Sequence, residues 1–366
     1  MDTYDYSPDG RKYNDIPQWL IDMPKTDLHC HLGGSLRIET ILDLAKQNNV
    51  PLNKGEEQLR NAIIYKNRPT RSLAEYIAGI KICESVLTTR ESFTRGAFEV
   101  AEDAAKENVR IFELRFGPTN YEREDLKLHD IMEGTLDGLI MAREKYNMHT
   151  GLIVCGIRTN PEATRKAVDL AVNYKRYKGN GVVGFDLAGK ENGFRPKLFE
   201  EIIMPVLKNF IPVTVHAGED DTVASIAEAL IYLNAQRIGH GVSLLESNNM
   251  SEYMDNVRIG VEVCPTSNVD TGAVASLSTH PIRTFYQQGL RVFLNTDNRT
   301  VSNTTITQEY MKLITELGFT QAEVYKLARN GIKAAFMNSM TRRPYHKELD
   351  RFKAENPTIE EEEYNV

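Results

Sequence analysis

No stretch of this 366-residue chain stays apolar for the roughly 20 residues that a bilayer crossing needs, so no segment reads as a membrane span. Cysteine is scarce. Cys30, Cys83, Cys155 and Cys264 include no CxxC pair and suggest no disulfide framework. Excess positive charge is also missing: 44 Lys and Arg against 51 Asp and Glu leave a formal charge of −7. No basic stripe of the kind that grips a phosphate backbone is visible, which argues against a nucleic-acid partner. The opening MDTYDYSPDG lacks the basic and apolar regions of a secretory signal. These absences together lead to the expectation of a reducing, cytoplasmic compartment and a small, neutral partner.

What is present fits a large globular unit. Apolar residues make up 41% and charged residues 26%, close to soluble averages, which excludes a disordered, collagen-like or coiled-coil chain. A chain of about 300 residues buries roughly three quarters of its unfolded surface, so a sizeable core needs no cross-links. No internal repeat is evident. The chain reads as one domain, with a core over about 24–300, C-terminal helices over 301–357 and an acidic, solvated tail over 358–366. The turn-rich segment up to about Ile16 reads as surface.

Short β-branched runs alternate with longer helical patterns, which argues for βα units around a parallel sheet. The strand candidates are Thr26–His29, Val109–Phe116, Gly151–Ile157, Val182–Leu187, Val213–His216, Arg237–Gly239, Gly260–Cys264 and Val292–Asn295. Eight is the number that closes a (β/α)8 TIM barrel. Several are almost wholly apolar, as strands covered on both faces should be. Ser92–Asn108, Glu162–Tyr177 and Thr222–Asn234 carry apolar residues at helical spacing. So does the chain after Asn303, with Ile306, Tyr310, Leu313, Ile314 and Leu317 on one face. The first strand-to-strand connection runs to about 80 residues, against about 30 for a minimal unit. Insertions of this kind commonly cover the mouth of a barrel.

Four motifs carry chemistry. In Thr26-Asp-Leu-His29-Cys-His31, residues i and i+2 of a strand point to one side, so His29 and His31 form a ready chelate for zinc or a similar metal. Two unrelated histidines near a turn would look the same. Val213-Thr-Val-His216-Ala-Gly-Glu219 ends a strand in a third histidine, with an acid three residues on that could equally cap the following helix. Arg237-Ile-Gly-His240-Gly sets a histidine between glycines that permit close backbone approach. Val292-Phe-Leu-Asn295-Thr-Asp297-Asn298 ends a buried strand in a carboxylate, which is costly to bury without a partner. Half of the chain's eight histidines thus sit at expected strand ends, and in a closed barrel these ends converge on one mouth. Three imidazoles and a carboxylate around an open position suit a hydrolytic metal site.

PKTDLHCHLGGS, GFDLAGKE, TVHAGE, RIGHG and LNTDN, in this order over residues 24–298, resemble the adenosine deaminases, zinc-dependent members of the amidohydrolase superfamily. The resemblance implies one zinc per chain on His29, His31, His216 and Asp297, with His240 beside the water that zinc activates. It implies that Glu219 faces purine N1 and protonates it, that Gly189 offers its backbone N–H to N3, and that Asn298 contacts the purine. The helix expected over Ser72–Leu87 is similar to the family's apolar lid, with Leu73, Tyr76, Ile77 and Ile80 over the substrate or, equally, packed on the barrel.

The implied reaction is hydrolytic deamination of a purine nucleoside at C6. One position departs from the family. Where many members carry an acid that holds the ribose 5′-hydroxyl, this chain has Gly33, so the expectation is a lost hydrogen-bond partner and added space. That keeps 5′-modified adenosines such as 5′-methylthioadenosine or aminodeoxyfutalosine beside adenosine, with adenine or another amidohydrolase substrate as further alternatives. Binuclear relatives bridge two metals with a lysine after the fourth strand. Lys190, just beyond that strand, reads as a solvated loop residue instead.

Overall fold

The computed structural model describes residues 16–52, 55–64, 73–179 and 181–356, with the side chain of Leu73 outside the description. Eight strands form a single parallel sheet in sequence order: β1 (Lys25–His31), β2 (Val109–Phe116), β3 (His149–Ile157), β4 (Val182–Ala188), β5 (Val213–Ala217), β6 (Arg237–His240), β7 (Gly260–Val263) and β8 (Arg291–Leu294). The ring is drawn together just past β8. Cys30 bridges Asp297, the His31 amide donates to the Asp297 carbonyl at 2.6 Å, and the Asp297 amide donates to the His29 carbonyl at 2.8 Å. The architecture is therefore the expected (β/α)8 barrel, with each strand found within a few residues of its expected place.

The strands are buried on both faces, but their inward face is not the layer of branched apolar side chains usual in such barrels. Glu113, Arg115, Asp186, Thr214, Arg237 and Glu262 are all at or near zero exposure and hydrogen-bond or ion-pair with one another inside the ring. Alternation explains the mixture: the apolar residues of each strand face the outer helices, and the intervening polar ones share the lumen. The opposite end of the barrel is closed by Phe336, whose ring lies 3.6 Å from the Arg237 guanidinium and whose amide donates to Glu113 at 2.6 Å.

Connection 32–108 holds the helices Ile38–Gln47, Glu56–Ile63 and Leu73–Glu84 before the packing helix Arg90–Lys106. The last starts in a capping box between Thr89 and Ser92, which satisfies two of the free amides at its N-terminus. After the barrel come Ile306–Leu317, Gln321–Ala334 and Ser339–Glu355, the second of which packs on β8 and β1. The four cysteines are buried and unpaired. Among the described residues no helix is long and apolar enough to cross a membrane. The first fifteen residues and the acidic tail lie outside the described residues.

Candidate active site

At the C-terminal mouth of the strands the side chains expected from four separate motifs meet. The Nε2 atom of His31 lies 3.3 Å from Nε2 of His29 and 3.3 Å from Nε2 of His216. Asp297 Oδ1 is 3.5 Å from Nε2 of His29 and 3.4 Å from that of His31. Tetrahedral donors held about 2.0–2.2 Å from a zinc ion stand about 3.3–3.5 Å apart, so the spacing suits such a cation.

The proton placement also suits a cation. His29 Nδ1 donates to the Glu262 carboxylate at 2.7 Å, and His216 Nδ1 donates to Asp186 at 3.0 Å. In the neutral form of each ring the one proton is thereby on the outer nitrogen, and the lone pairs of both Nε2 atoms then point into the same space. His31 could donate to one of them, but not to both. The donor set therefore fits a metal ion better than any scheme of internal hydrogen bonds. Carboxylates behind metal-binding histidines commonly set ring tautomer in this way.

The two carboxylates are themselves held charged. Burial alone would raise the Glu262 carboxyl; the guanidiniums of Arg115 (2.9 Å) and Arg237 (2.6 Å) outweigh it and hold the group well below the usual range. Asp186 is likewise buried, and His216 and Arg115 pull it far down. Burial lowers His29 and His31, consistent with neutral rings.

Glu219 sits across the cavity and is not the helix cap that its sequence position allowed; the N-cap of helix Val223–Leu233 is Thr222, with no side-chain cap. Its Oε1 accepts from Thr271 at 3.1 Å, and Oε2 is 3.5 Å from His240 Nε2. Burial, reinforced by the charge of Asp297, raises its carboxyl above the ordinary range. Its backbone is held by Glu191, whose buried carboxylate receives the amides of Gly218 and Glu219 at 2.8 Å and of Asp220 at 3.2 Å.

His240 has its tautomer set by a chain that begins at a group able only to donate. The Ile282 amide donates to His280 Nδ1 (3.2 Å), His280 Nε2 donates to Asn268 Oδ1 (3.1 Å), and Asn268 Nδ2 donates to His240 Nδ1 (2.9 Å). Burial pushes His280 down to about 3, which keeps it neutral in this chain. His240 thus presents Nε2–H to the cavity. Both His240 (φ 63°) and Asp297 (φ 60°) lie in the left-handed region, a conformation costing about 1–3 kcal/mol at non-glycine residues and concentrated at functional sites.

The remaining expected residues line the same cavity: Gly33, Tyr76, Ile77, Ile80, Gly189 and Asn298. Tyr76, Ile77, Ile80 and Glu84 mark one face of helix Leu73–Glu84, and the Tyr76 hydroxyl ties that helix to Ser302 beyond β8 (2.8 Å). Leu73 stands at the start of the helix, but its side chain lies outside the described residues. Lys190 is exposed in the loop after β4, as expected.

The Gly33-Gly34 pair departs from expectation in one respect. A Cβ on Gly34 would stand 1.9 Å from Asn298 Oδ1, and one on Gly33 would stand 2.6 Å from Glu84 Cγ. The space expected beside Gly33 is therefore filled, and filled by a carboxylate.

A family model described as adenosine deaminase matches residues 24–352. The chain belongs to the adenosine deaminase family. It is 37% identical to an adenosine deaminase of Clostridium acetobutylicum over 337 residues, 92% of this chain and 99% of that one. It is 38% identical to one from Vibrio vulnificus, covering 86% and 95%. Among solved structures it is similar to an adenine deaminase from Arthrobacter aurescens (TM-score 0.84, 26% identity, 92% of this chain and 99% of that one). It is also similar to an N6-methyl-AMP deaminase from Arabidopsis thaliana (TM-score 0.79, 27% identity, 92% and 99%).

The expected site residues left out Arg115, Glu191, Glu262, Asn268, His280 and Glu84. For some a signal was there. A lone charge inside an apolar strand, as in Gly260-Val-Glu262-Val, needs a buried partner and marks the inward face. Glu191 closes the GFDLAGKE motif itself. Glu84 carried no signal, because only the packing of the insertion brings it to Gly33.

Proposed function

We propose that this chain hydrolytically deaminates adenosine to inosine and ammonia, with one zinc ion held by His29, His31, His216 and Asp297. The observation that carries this is the convergence of two imidazole lone pairs, pinned by Glu262 and Asp186, on Asp297 and His31, with a buried, protonatable carboxyl across the same cavity. Zinc, when bound, lowers the pKa of a water from about 15.7 toward 7 and so supplies a nucleophile at neutral pH.

The chain's own residues do the rest. Glu219, protonated because its carboxyl is buried, gives its proton to purine N1 and leaves C6 electron-poor. His240 donates through Nε2–H and steadies negative charge on the attacking oxygen. Since Asn268 already donates to His240 Nδ1, Asp297 is the acceptor left for the first proton of water. The new C6–O bond forms as that proton moves. The C6–N6 bond then breaks, ammonia leaves with the proton from Asp297, and the hydroxyl proton at C6 returns to Glu219. Tyr76, Ile77 and Ile80 form an apolar wall that keeps bulk water from the reacting centre.

A nucleoside fits the cavity better than a nucleotide. Lys81 is the one cation among its described lining residues, too little for a phosphate. The test is ammonia release from adenosine, adenine and AMP with the purified protein. Turnover of adenosine well above that of adenine and AMP is expected; turnover of AMP or adenine in its place would refute the substrate assignment.

A further inference from the structure

The reaction described above leaves one cavity carboxylate unused. Of the acids that line the cavity, Glu219 and Asp297 stand at the reacting end, and the third is Glu84, the last residue of helix Leu73–Glu84. The three atoms nearest to a Cβ built on Gly33 all belong to it: Cγ at 2.6 Å, Oε1 at 2.7 Å and Cδ at 3.1 Å. The backbone at Gly33 is outside the left-handed region, so the Glu84 side chain, and not the main chain, is what excludes a larger residue there. Tyr121 donates its hydroxyl to Oε1 at 2.8 Å, while Oε2 has no protein hydrogen-bond partner among the described residues. Glu84 thus places an oriented carboxylate in the volume that a side chain at position 33 would take.

We propose that Glu84 is the sugar-recognition residue of this enzyme, its carboxylate accepting the hydrogen bond of the nucleoside 5′-hydroxyl in place of an acid at position 33. This rests on the adenosine reading above. With C6 fixed at the histidines, the sugar on N9 lies on the far side of the purine and extends toward the rest of the lining. There the walls include Ile77, Ile80, Phe116 and Ile157. A hydroxyl brought against such walls needs an acceptor, since an unpaired buried polar group is costly. A fixed carboxylate accepts from a hydroxyl, has nothing to offer a 5′-thioether, and repels a 5′-phosphate. The neighbours named above as acting on adenine or N6-methyl-AMP differ from the proposed substrate in what N9 carries, so this wall is where discrimination would reside. The carboxylate therefore comes from the insertion and not from the strand-one loop.

The test compares adenosine with its 2′-, 3′- and 5′-deoxy analogues in the wild type, Glu84→Ala, Glu84→Gln and the double variant Gly33→Asp/Glu84→Ala, with folding checked by circular dichroism. In the wild type kcat/KM for adenosine should exceed that for 5′-deoxyadenosine by about 10- to 100-fold, the range of a hydrogen bond to a charged group. Glu84→Ala should lose that preference, Glu84→Gln should keep part of it, and the double variant should recover it. A preference that survives Glu84→Ala, equal losses on both substrates, or discrimination that follows the 2′- or 3′-hydroxyl would overturn the proposal. Calorimetric binding of inosine against 5′-deoxyinosine separates this claim from the one it rests on. A wild type that binds inosine but releases no ammonia refutes the deaminase reading, while the binding difference still decides Glu84. No binding of inosine overturns both.

Discussion

Glu219→Gln is expected to lower kcat by about 10²- to 10⁴-fold, the usual worth of a positioned general acid. Glutamine keeps the shape and the contact with Thr271 (3.1 Å) but carries no proton that N1 can take. Metal content should stay unchanged, because Glu219 belongs to neither of the donor groups His29–His31–His216 and His29–His240–Asp297. Stability should hold or rise, since the variant removes a buried group whose charge is disfavoured by burial and by Asp297.

The same carboxyl sets a sign for the pH profile. In the proposed mechanism only its protonated form is active, and its pKa is raised, so kcat/KM should be sustained above the ordinary carboxyl range and fall as pH climbs through the raised value. Steady-state rates across pH, with metal analysis of the variant, check both parts. Undiminished turnover by Glu219→Gln would remove this residue from the mechanism.

The second large effect lies behind the proposed metal site. Glu262 accepts hydrogen bonds from His29 Nδ1 at 2.7 Å, Thr214 at 2.9 Å and Arg115 at 2.9 Å and ion-pairs with Arg237 at 2.6 Å, all in the closed lumen of the barrel. Glu262→Gln leaves two guanidiniums facing a neutral amide where water cannot enter. Breaking a buried ion pair from one side costs about 3–5 kcal/mol. The amide also orients His29 less firmly, and loss of such a partner typically lowers metal affinity by 10- to 100-fold. Urea unfolding and competitive zinc titration of the variant should therefore both shift. A variant as stable as the wild type would mean that Asp186 and Glu113 alone neutralise Arg115 and Arg237.

The barrel was readable in the sequence because each strand is short, apolar and followed by a helical stretch, and because βα alternation admits few folds. His29, His31, His216, His240 and Asp297 were readable because chemistry-bearing residues recur at strand ends, which the topology brings to one mouth. What could not be read depends on long-range packing. Asn268 and His280 become meaningful only once the chain after β7 folds over His240. Glu84 reaches Gly33 only through the arrangement of three inserted helices, whose residues carry no period that predicts it. The expected gap beside Gly33 followed from reading one position alone, and a side chain 51 positions away in sequence occupies it.

Four donors from β1, β5 and the end of β8 are proposed to grip one zinc ion on which turnover depends. Metal analysis of the purified protein, followed by chelation, assay with adenosine and reloading, tests it most directly. The account predicts one equivalent of zinc per chain, loss of ammonia release in the metal-free protein, recovery with zinc, and no recovery in His216→Ala. Full turnover by protein shown to be free of metal, or a full equivalent of tightly held zinc in His216→Ala, would contradict it.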